Sequence, residues 1–385
     1  MIKYSVNDLK EESAFSSVIY LDNQFILATP EMCVSQKMKQ SLKNWEFAEI
    51  LSDGEPIVEI QVEAEKAPHI QLTSVTSQYP TNDEEKIVYV EHFYTAFKDY
   101  MESVFEKVGV ENILDYKELT DHVRSACAII REDRRFLLRS QKSPSTETEK
   151  DYMASHAVHS MIISIIIGLR LKLSDEKLIE LGVAALLHEI GMLKLPKESK
   201  GYYTKRPLTQ NEKKAITSHP VLSYSILKSF NTPLAVCLAG LEHHERENGG
   251  GYPQKLTGDK ISLYAKIIAV ACSYDALTTN RPHKEAENGH MGMLYILKNE
   301  EKQYNETIVK ALLYSISLYP IGLFVLLSNG KKAQVIDVNP ENPLYPIVQV
   351  FGVFTSTGEN VIIETSKQGV YVVRPLTKTE TGRTD

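Results

Sequence analysis

Five of the eleven histidines are distributed along the chain as metal ligands often are. Each lies on or at the end of a predicted helix, and a bundle of helices can direct several imidazoles at one point. Imidazole and carboxylate ligands together suit zinc, iron or manganese. The pattern therefore indicates a transition-metal site. The residues concerned are His156, His188 followed by Glu189, His219 followed by Pro220, and the pair His243–His244 followed by Glu245.

The alternative for each histidine is an ordinary hydrogen-bonded residue of the core or surface, which is the commoner case for a histidine taken alone. His188 and Glu189 argue against that alternative because they end the apolar run 183–187. Burying two titratable groups there without a metal or a polar partner would be costly. The set as a whole therefore favours a metal centre.

Four short motifs in register resemble those of the HD-GYP domain. Each motif alone is weak, but their order and spacing are matched over about residues 150–320, which makes the resemblance specific. The motifs are Leu186 to Gly191 (LLHEIG), His219–Pro220, His243 to Pro253 (HHERENGGGYP) and Tyr274 to Pro282 (YDALTTNRP).

The resemblance implies an all-helical domain of the HD superfamily with a centre of two or three metal ions. It also implies hydrolysis of cyclic-di-GMP to its linear dinucleotide or to GMP. Paired cations in such centres, about 3.5–4 Å apart, activate a water and neutralise the leaving oxygen. We expect two divalent transition-metal ions, iron, manganese or zinc. The ligands implied by position are His156, His188, Glu189, His219, His243, His244 and Cys272.

The same resemblance implies residues for catalysis and substrate binding. Glu189 stands where the family has a metal-bridging aspartate, and it is expected to be catalytic together with Arg246. The Arg246 guanidinium would face a phosphate as a fork donor. Gly251, Tyr252 and Pro253 would shape the mouth of the substrate site with Arg246, although Gly-Gly-Tyr-Pro taken alone is simply a tight turn.

The sequence departs from the family pattern at four positions that bear on metal or phosphate. Glu189 is longer than aspartate by about 1.5 Å, and metal distances tolerate shifts of only about 0.2 Å. Met192 replaces a lysine, and the loss of one preorganised charge donor typically costs on the order of 10²–10³ in rate. Cys272 replaces a ligand aspartate; it is either a soft ligand or a small buried hydrophobe. Tyr152 replaces a glutamate, which argues against a third ion.

These departures leave three hypotheses. The first is a metal-dependent cyclic-di-GMP phosphodiesterase with altered or reduced turnover, and it is the one we favour because every histidine is present. The second is a catalytically inactive signalling domain that binds a cyclic dinucleotide or a partner and retains its metal site. The third is a purely structural zinc site. Asp275 is expected to support a ligand or to cap a helix rather than to bind metal.

The elements that must position these residues indicate a mainly α protein: an HD-type helical bundle with a small N-terminal α/β unit and a small C-terminal β appendage. Apolar residues spaced at threes and fours from 82 to 139 predict helix, and the run 156–171 is apolar on nearly every side, as a central helix is. Its isoleucines would also suit a strand, but its length favours helix. Runs 323–327, 333–338, 346–353 and 361–364 predict strands. We therefore divide the chain into residues 1–80, a helical connector at 81–145, the HD-GYP-like domain at 146–320 and the β appendage at 321–385.

Composition limits the partners and the compartment. The net charge of −7, from 43 basic and 50 acidic residues, argues against DNA or RNA as a partner. The four cysteines form no CxxC pair, which suits a reducing compartment. No signal peptide or membrane span is predicted, since the run 161–171 is too short to cross a bilayer. We expect a cytoplasmic bacterial protein that binds a cyclic dinucleotide. The helical stretch 82–139 would either form a homodimer or pack on its own domain, and a signalling protein partner is also open.

Overall fold

The computed structural model describes residues 2–9, 14–15, 17, 19–20, 26–28, 36–44, 47–57, 82–140, 149–195, 209–279 and 286–381. The chain divides into two compact units, 1–68 and 69–385. The connector, the helical bundle and the C-terminal strands of the sequence prediction all fall in the second unit.

The first unit is a small α/β structure. Its four-stranded antiparallel sheet has the order β1-β5-β3-β4, and β2 pairs separately with β6. Ile19, Leu42 and Ile50 form the centre of its small core. Its elements are β1 (Ile2–Ser5), β2 (Ala14–Phe15), β3 (Ile19–Tyr20), β4 (Ile26–Ala28), α1 (Gln36–Asn44), β5 (Glu49–Ser52) and β6 (Pro56–Ile57).

The second unit begins with a helical bundle. Asn82 caps its first helix, where the side chain accepts a hydrogen bond from the Glu85 N–H at 2.9 Å. The helices are α2 (Asp83–Glu106), α3 (Tyr116–Ser140), α4 (Glu149–Arg170), α5 (Asp175–Leu187), α6 (Gln210–Ile216), α7 (His219–Ser229), α8 (Leu234–Glu242), α9 (Leu263–Thr278), α10 (Gly289–Gln303) and α11 (Glu306–Ile316). In the described parts of the bundle, a π turn (Lys107–Glu111) and 3₁₀ turns at Ile190–Lys194 and Gly258–Lys260 lie between the helices.

Helix α4 is the centre of the bundle, as its apolar sequence predicts. It packs against α2, α5 and α9, and its isoleucines from Ile162 to Ile167 are almost fully buried. Within the described residues, Tyr152–Arg170 is the one helical stretch long and apolar enough to cross a membrane, and 89% of it is buried inside the protein. Core helices share this character, so the stretch is weak evidence for a membrane span.

An antiparallel five-stranded sheet follows the bundle, with the order β10-β9-β8-β7-β11. Its strands are β7 (Phe324–Leu327), β8 (Lys332–Asp337), β9 (Ile347–Phe354), β10 (Asn360–Glu364) and β11 (Val372–Pro375), and a short helix α12 (Lys378–Thr381) comes after them. Four of the five strands lie where the sequence predicts them, and β11 was not predicted. The predicted fold class, a mainly α bundle with small terminal β-containing units, is confirmed.

Candidate metal centre

Three of the predicted ligand histidines sit at helix ends. His188 follows the last residue of α5, His219 is the first residue of α7, and His243 follows the last residue of α8. In each, Nδ1 lies 2.6–2.9 Å from the backbone carbonyl oxygen three residues earlier. A carbonyl only accepts hydrogen bonds, so Nδ1 carries the proton and Nε2 carries a lone pair. The helix ends thereby fix three imidazoles in the form that binds metal.

Two groups of ligand atoms meet around Glu189. Within each group the atoms lie within 4.8 Å of one another. The first group is Glu189, His219, His243 and His244, and the second is His156, His188 and Glu189. The structure therefore brings together six of the seven predicted ligands, in two sets that share one carboxylate, as a bridging role for Glu189 would require. Their role as ligands remains a prediction.

The orientation of the Nε2 atoms fits cations between them. Nε2 of His219 lies 3.0 Å from Nε2 of His243. Because each of these two imidazoles carries its proton on Nδ1, the lone pairs of the two Nε2 atoms point towards each other. The lone pairs repel unless a cation lies beside them. Nε2 of His188 is buried and has no hydrogen-bond partner among the described residues. A buried acceptor left in this way costs free energy, which a bound metal would remove.

The protonation states also suit metal binding at neutral pH. Burial is the largest cause that lowers the pKa of His188, to about 4. Burial also holds the pKa values of His243 and His244 well below 6.5, and neighbouring imidazoles add to the effect. Burial alone would raise the pKa of Glu189, but His219 and the other imidazoles outweigh it and lower the value to about 2. Neutral imidazoles beside a carboxylate are the forms that coordinate metal.

The fourth imidazole is oriented by a carboxylate from another helix. His156 lies on α4, and its Nδ1 is 2.6 Å from Oδ2 of Asp275 on α9. Both side chains are buried. Asp275 thus supports a candidate ligand, as the sequence analysis expected, and belongs to neither ligand group in the described part of the chain.

The backbone around Glu189 lies close against helix α7 and is hydrogen-bonded to it. The Ser223 hydroxyl donates to the His188 carbonyl and accepts from the Gly191 N–H, each at 2.9 Å. A Cβ on Gly191 would collide with the His219 carbonyl oxygen and lie 2.5 Å from the Ser223 nitrogen. Gly191 and Ser223 therefore set the distance between Glu189 and His219.

The loop with the predicted substrate residues is fixed beside the ligands. The buried Glu245 carboxylate accepts hydrogen bonds from the N–H groups of Gln254 and Leu256, at 2.7 and 2.9 Å. The Tyr252 ring stacks on His244, with centroids 4.6 Å apart. At Gly251 a Cβ would lie 2.5 Å from backbone atoms of residues 244–246, so glycine is needed for this approach.

Arg246 faces a cavity of about 240 Å³ next to His244. Its Nη1 donates to the carbonyl oxygens of His243 and Glu245, at 3.2 and 2.9 Å, and the guanidinium lies 5.3 Å from the Tyr304 ring centroid. These contacts hold the side chain in place. The cavity is lined by His244, Arg246, Asn248, Gly250, Gly251, Tyr252 and Gln303.

The remaining departures from the family motif lie close to this centre. Cys272 is buried on α9, its thiol donates to the Ala269 carbonyl at 3.7 Å, and it belongs to neither ligand group in the residues described. Its role as a ligand stays a prediction. Met192 is buried in the 3₁₀ turn after Glu189, and Tyr152 stacks parallel to His156, with centroids 6.1 Å apart. Arg281 and Pro282 of the last motif lie outside the described residues.

Three residues around the ligands were missed by the sequence analysis: Ser223, His159 and the supporting role of Glu245. Each had a faint local signal. Ser223 and His159 lie one turn after His219 and His156 on the same helix faces, and Glu245 directly follows the histidine pair. Spacing alone does not separate such positions from ordinary core residues.

Comparison with known proteins supports the fold and the motifs. A family model described as an HD domain matches residues 136–308. The cyclic di-GMP phosphodiesterase PdeB of Borreliella burgdorferi is 31% identical over 198 residues, which are 51% of this chain and 52% of that protein. A cyclic di-GMP phosphodiesterase of Pseudomonas aeruginosa is 27% identical over 86% of this chain and 80% of its own length. A 3'3'-cGAMP-specific phosphodiesterase of Vibrio cholerae is 29% identical over 45% of this chain and 37% of that protein.

A solved structure has the same architecture. The HDG"Y"P protein from Bdellovibrio bacteriovorus matches with a TM-score of 0.50 and 14% identity, covering 81% of this chain and 97% of that one. This likeness shows the fold. The chain spans about half the length of the Borreliella protein. The HD-domain match shows that residues 136–308 form an HD domain, and the motifs in register support its assignment to the HD-GYP type.

Proposed function

We propose that the chain is a metal-dependent phosphodiesterase of the HD-GYP type that hydrolyses cyclic-di-GMP, with altered or reduced turnover. The observation that carries this proposal is the pair of ligand groups that share Glu189. The names of the Borreliella and Pseudomonas relatives support cyclic-di-GMP as the substrate. The name of the Vibrio relative makes 3'3'-cGAMP the first competitor to test.

The ions expected are two divalent iron, manganese or zinc ions, held by the two ligand groups. When bound, such ions supply Lewis acidity and activate a water for attack at phosphorus. The protein's own part is to present neutral imidazoles from fixed helix ends and one carboxylate between them. Because three of these imidazoles are each held by the backbone carbonyl three residues earlier, binding needs little rearrangement.

On the substrate side, the described cavity lining includes the Arg246 guanidinium and the Tyr252 ring. Nη1 of Arg246 is held by two carbonyls, which among the described residues leaves Nη2 and Nε for a phosphate. Tyr252 presents its ring beside His244 at the cavity. We assign substrate binding to Arg246, Gly251 and Tyr252, which line this cavity, and to Pro253 by the motif it shares with them.

Reduced turnover follows from Met192 and Glu189. A buried thioether at 192 offers no charge to a phosphate, and the longer carboxylate of Glu189 would alter the spacing of ions held by the two groups. The competing function, binding of a cyclic dinucleotide or a partner without hydrolysis, is favoured by the same two residues. We also propose that residues 146–320 carry this activity in the cytoplasm.

Single-turnover hydrolysis separates these functions. Enzyme in excess over cyclic-di-GMP is supplied with manganese, iron or zinc in turn, and product is measured against buffer and against the variant His243→Ala. We expect product with at least one metal and none with the variant. If no metal gives product while the dinucleotide still raises the melting temperature, the enzyme proposal fails and the binding function stands.

A further inference from the structure

His156 is linked to the connector helix α2 by a chain of buried contacts. Asp275, whose Oδ2 orients His156, has a second oxygen that is also engaged. Nδ1 of His159 lies 2.9 Å from Oδ1 of Asp275, and the Thr279 hydroxyl donates to the same oxygen at 2.7 Å. Both oxygens of the Asp275 carboxylate therefore accept hydrogen bonds.

His159 has a fixed place in this chain. It lies on α4 one turn after His156, so both rings point from the same helix face. Its Nδ1 donates to Asp275, and within the described residues its buried Nε2 has no hydrogen-bond partner. Its role is thus to hold the carboxylate, since it is not part of either ligand group found among the described residues.

The far side of His159 is covered by a tyrosine from α2. The rings of Tyr94 and His159 are stacked, with centroids 5.0 Å apart and an angle of 23° between their planes. A shift of α2 would therefore move His159, and through Asp275 it would turn the imidazole of His156.

We infer that Tyr94 and His159 are positioning residues for the ion of the second ligand group, so that the placement of α2 controls occupancy of half of the metal centre. The inference rests on the proposed metal site. Among the described residues the first group has no such link, because Nδ1 of His219 is held by the Ile216 carbonyl at the end of α6 and Nδ1 of His243 by the Gly240 carbonyl of α8.

The same helix provides a matched control. Tyr100, also on α2, stacks on His122 of α3, with centroids 4.1 Å apart and planes at 20°. His122 is buried as well, but its Nδ1 bonds the Glu118 carbonyl, at 2.9 Å, and no carboxylate among the described residues. Tyr94→Leu and His159→Leu test the link, while Tyr100→Leu and His122→Leu report the cost of losing a similar stack.

The readout is metal affinity of the full chain, measured by titration of chelator-treated protein with Mn²⁺ and with Zn²⁺. We expect one of two ions to bind about 10–100-fold more weakly in the Tyr94 and His159 variants, the usual effect of losing an outer-shell partner. The control variants should bind both ions as the wild type does. His159→Asn, whose amide places a donor near the position of Nδ1, should restore the weak ion.

Two results would overturn the inference. One is unchanged affinity for both ions in His159→Leu and Tyr94→Leu, and the other is an equal loss in the Tyr100 and His122 variants. Should His159→Leu fail to fold, Tyr94→Leu against Tyr100→Leu decides by the same criterion. Wild-type protein that binds no pair of ions would instead contradict the proposed function, so the two failures are distinguishable.

Discussion

At the scale of single residues, Glu189 carries the greatest weight, because it is the carboxylate common to both ligand groups. Glu189→Gln keeps the shape of the side chain but removes its charge. We expect the affinity for both ions to fall by more than about 100-fold, beyond the usual effect of losing an outer-shell partner. The measurement is metal content after dialysis against limiting metal.

Glu176→Gln is the control for this variant, because Glu176 is exposed in the first turn of α5. It should retain the wild-type metal content. Glu189→Gln protein that still holds two ions per chain would show that Glu189 is not a shared ligand.

The histidines predict how the metal-free protein responds to acid. Burial lowers the pKa of His188 from 6.5 to about 4, so the folded state binds a proton less readily than the unfolded chain. Stability is therefore fully present above pH 6.5 and is lost as the pH falls towards 4. For His188 alone the loss is about 3 kcal/mol, and His243 and His244 act in the same direction.

Urea unfolding of chelator-treated protein at several pH values between 4 and 7.5 measures this effect. The free energy of unfolding should rise with pH through that window. A flat profile would mean that the buried imidazoles are not held neutral by the fold.

The candidate ligands, whose role remains a prediction, could be found in the sequence, whereas most residues that orient them could not. Histidines at helix ends with adjacent carboxylates form a pattern that is local in the sequence, and the motifs resemble a known family. The hydrogen bonds that orient these histidines join distant positions: Ser223 bonds the His188 carbonyl 35 residues away, and Asp275 bonds His156 119 residues away. No local pattern encodes such contacts.

At the scale of elements, the 3₁₀ turn after α5 sets the distance between Glu189 and His219 of the first ligand group. Gly191→Ala would place a methyl group against the His219 carbonyl oxygen and the Ser223 nitrogen. Because both contacts are backbone atoms of α7, the turn and the helix must separate. We expect a loss of about 1–3 kcal/mol in stability, together with weaker metal binding.

Gly109→Ala is the matched control, since a Cβ there meets nothing within 4 Å. In thermal unfolding and in metal titration, Gly191→Ala should be less stable and bind metal more weakly than Gly109→Ala. Equal behaviour would show that the contact between the turn and α7 does not shape the centre.

Periodicity predicted most elements but not all of them. Helix α4 was recognised because its apolar run is too long for a strand, yet it begins before the run, at Glu149. The strands β7 to β10 coincide with apolar runs that are bounded by turn residues. β11 has only four residues, of which Val373 and Arg374 are exposed, so it gives no alternating signal; pairing with β7 defines it instead.

At the scale of the whole molecule, all the candidate ligands belong to the unit 69–385. Metal that binds the folded state alone stabilises it by RT ln(1 + [L]/Kd), about 2.7 kcal/mol at 100 times Kd. Removing the ions with a chelator should therefore loosen the second unit and leave the first as it was.

Hydrogen exchange of the full chain with and without chelator tests this expectation. Peptides from α4 to α9 should exchange faster after metal removal, with the largest change at the ends of α5 and α8, where His188 and His243 lose the ions that satisfy their Nε2 atoms. Peptides from residues 36–57 should exchange at the same rate in both samples, because no candidate ligand lies among the described residues of the first unit. Faster exchange spread evenly over both units would instead mean that the ions support the whole chain, and the assignment of metal binding to the helical bundle alone would be wrong.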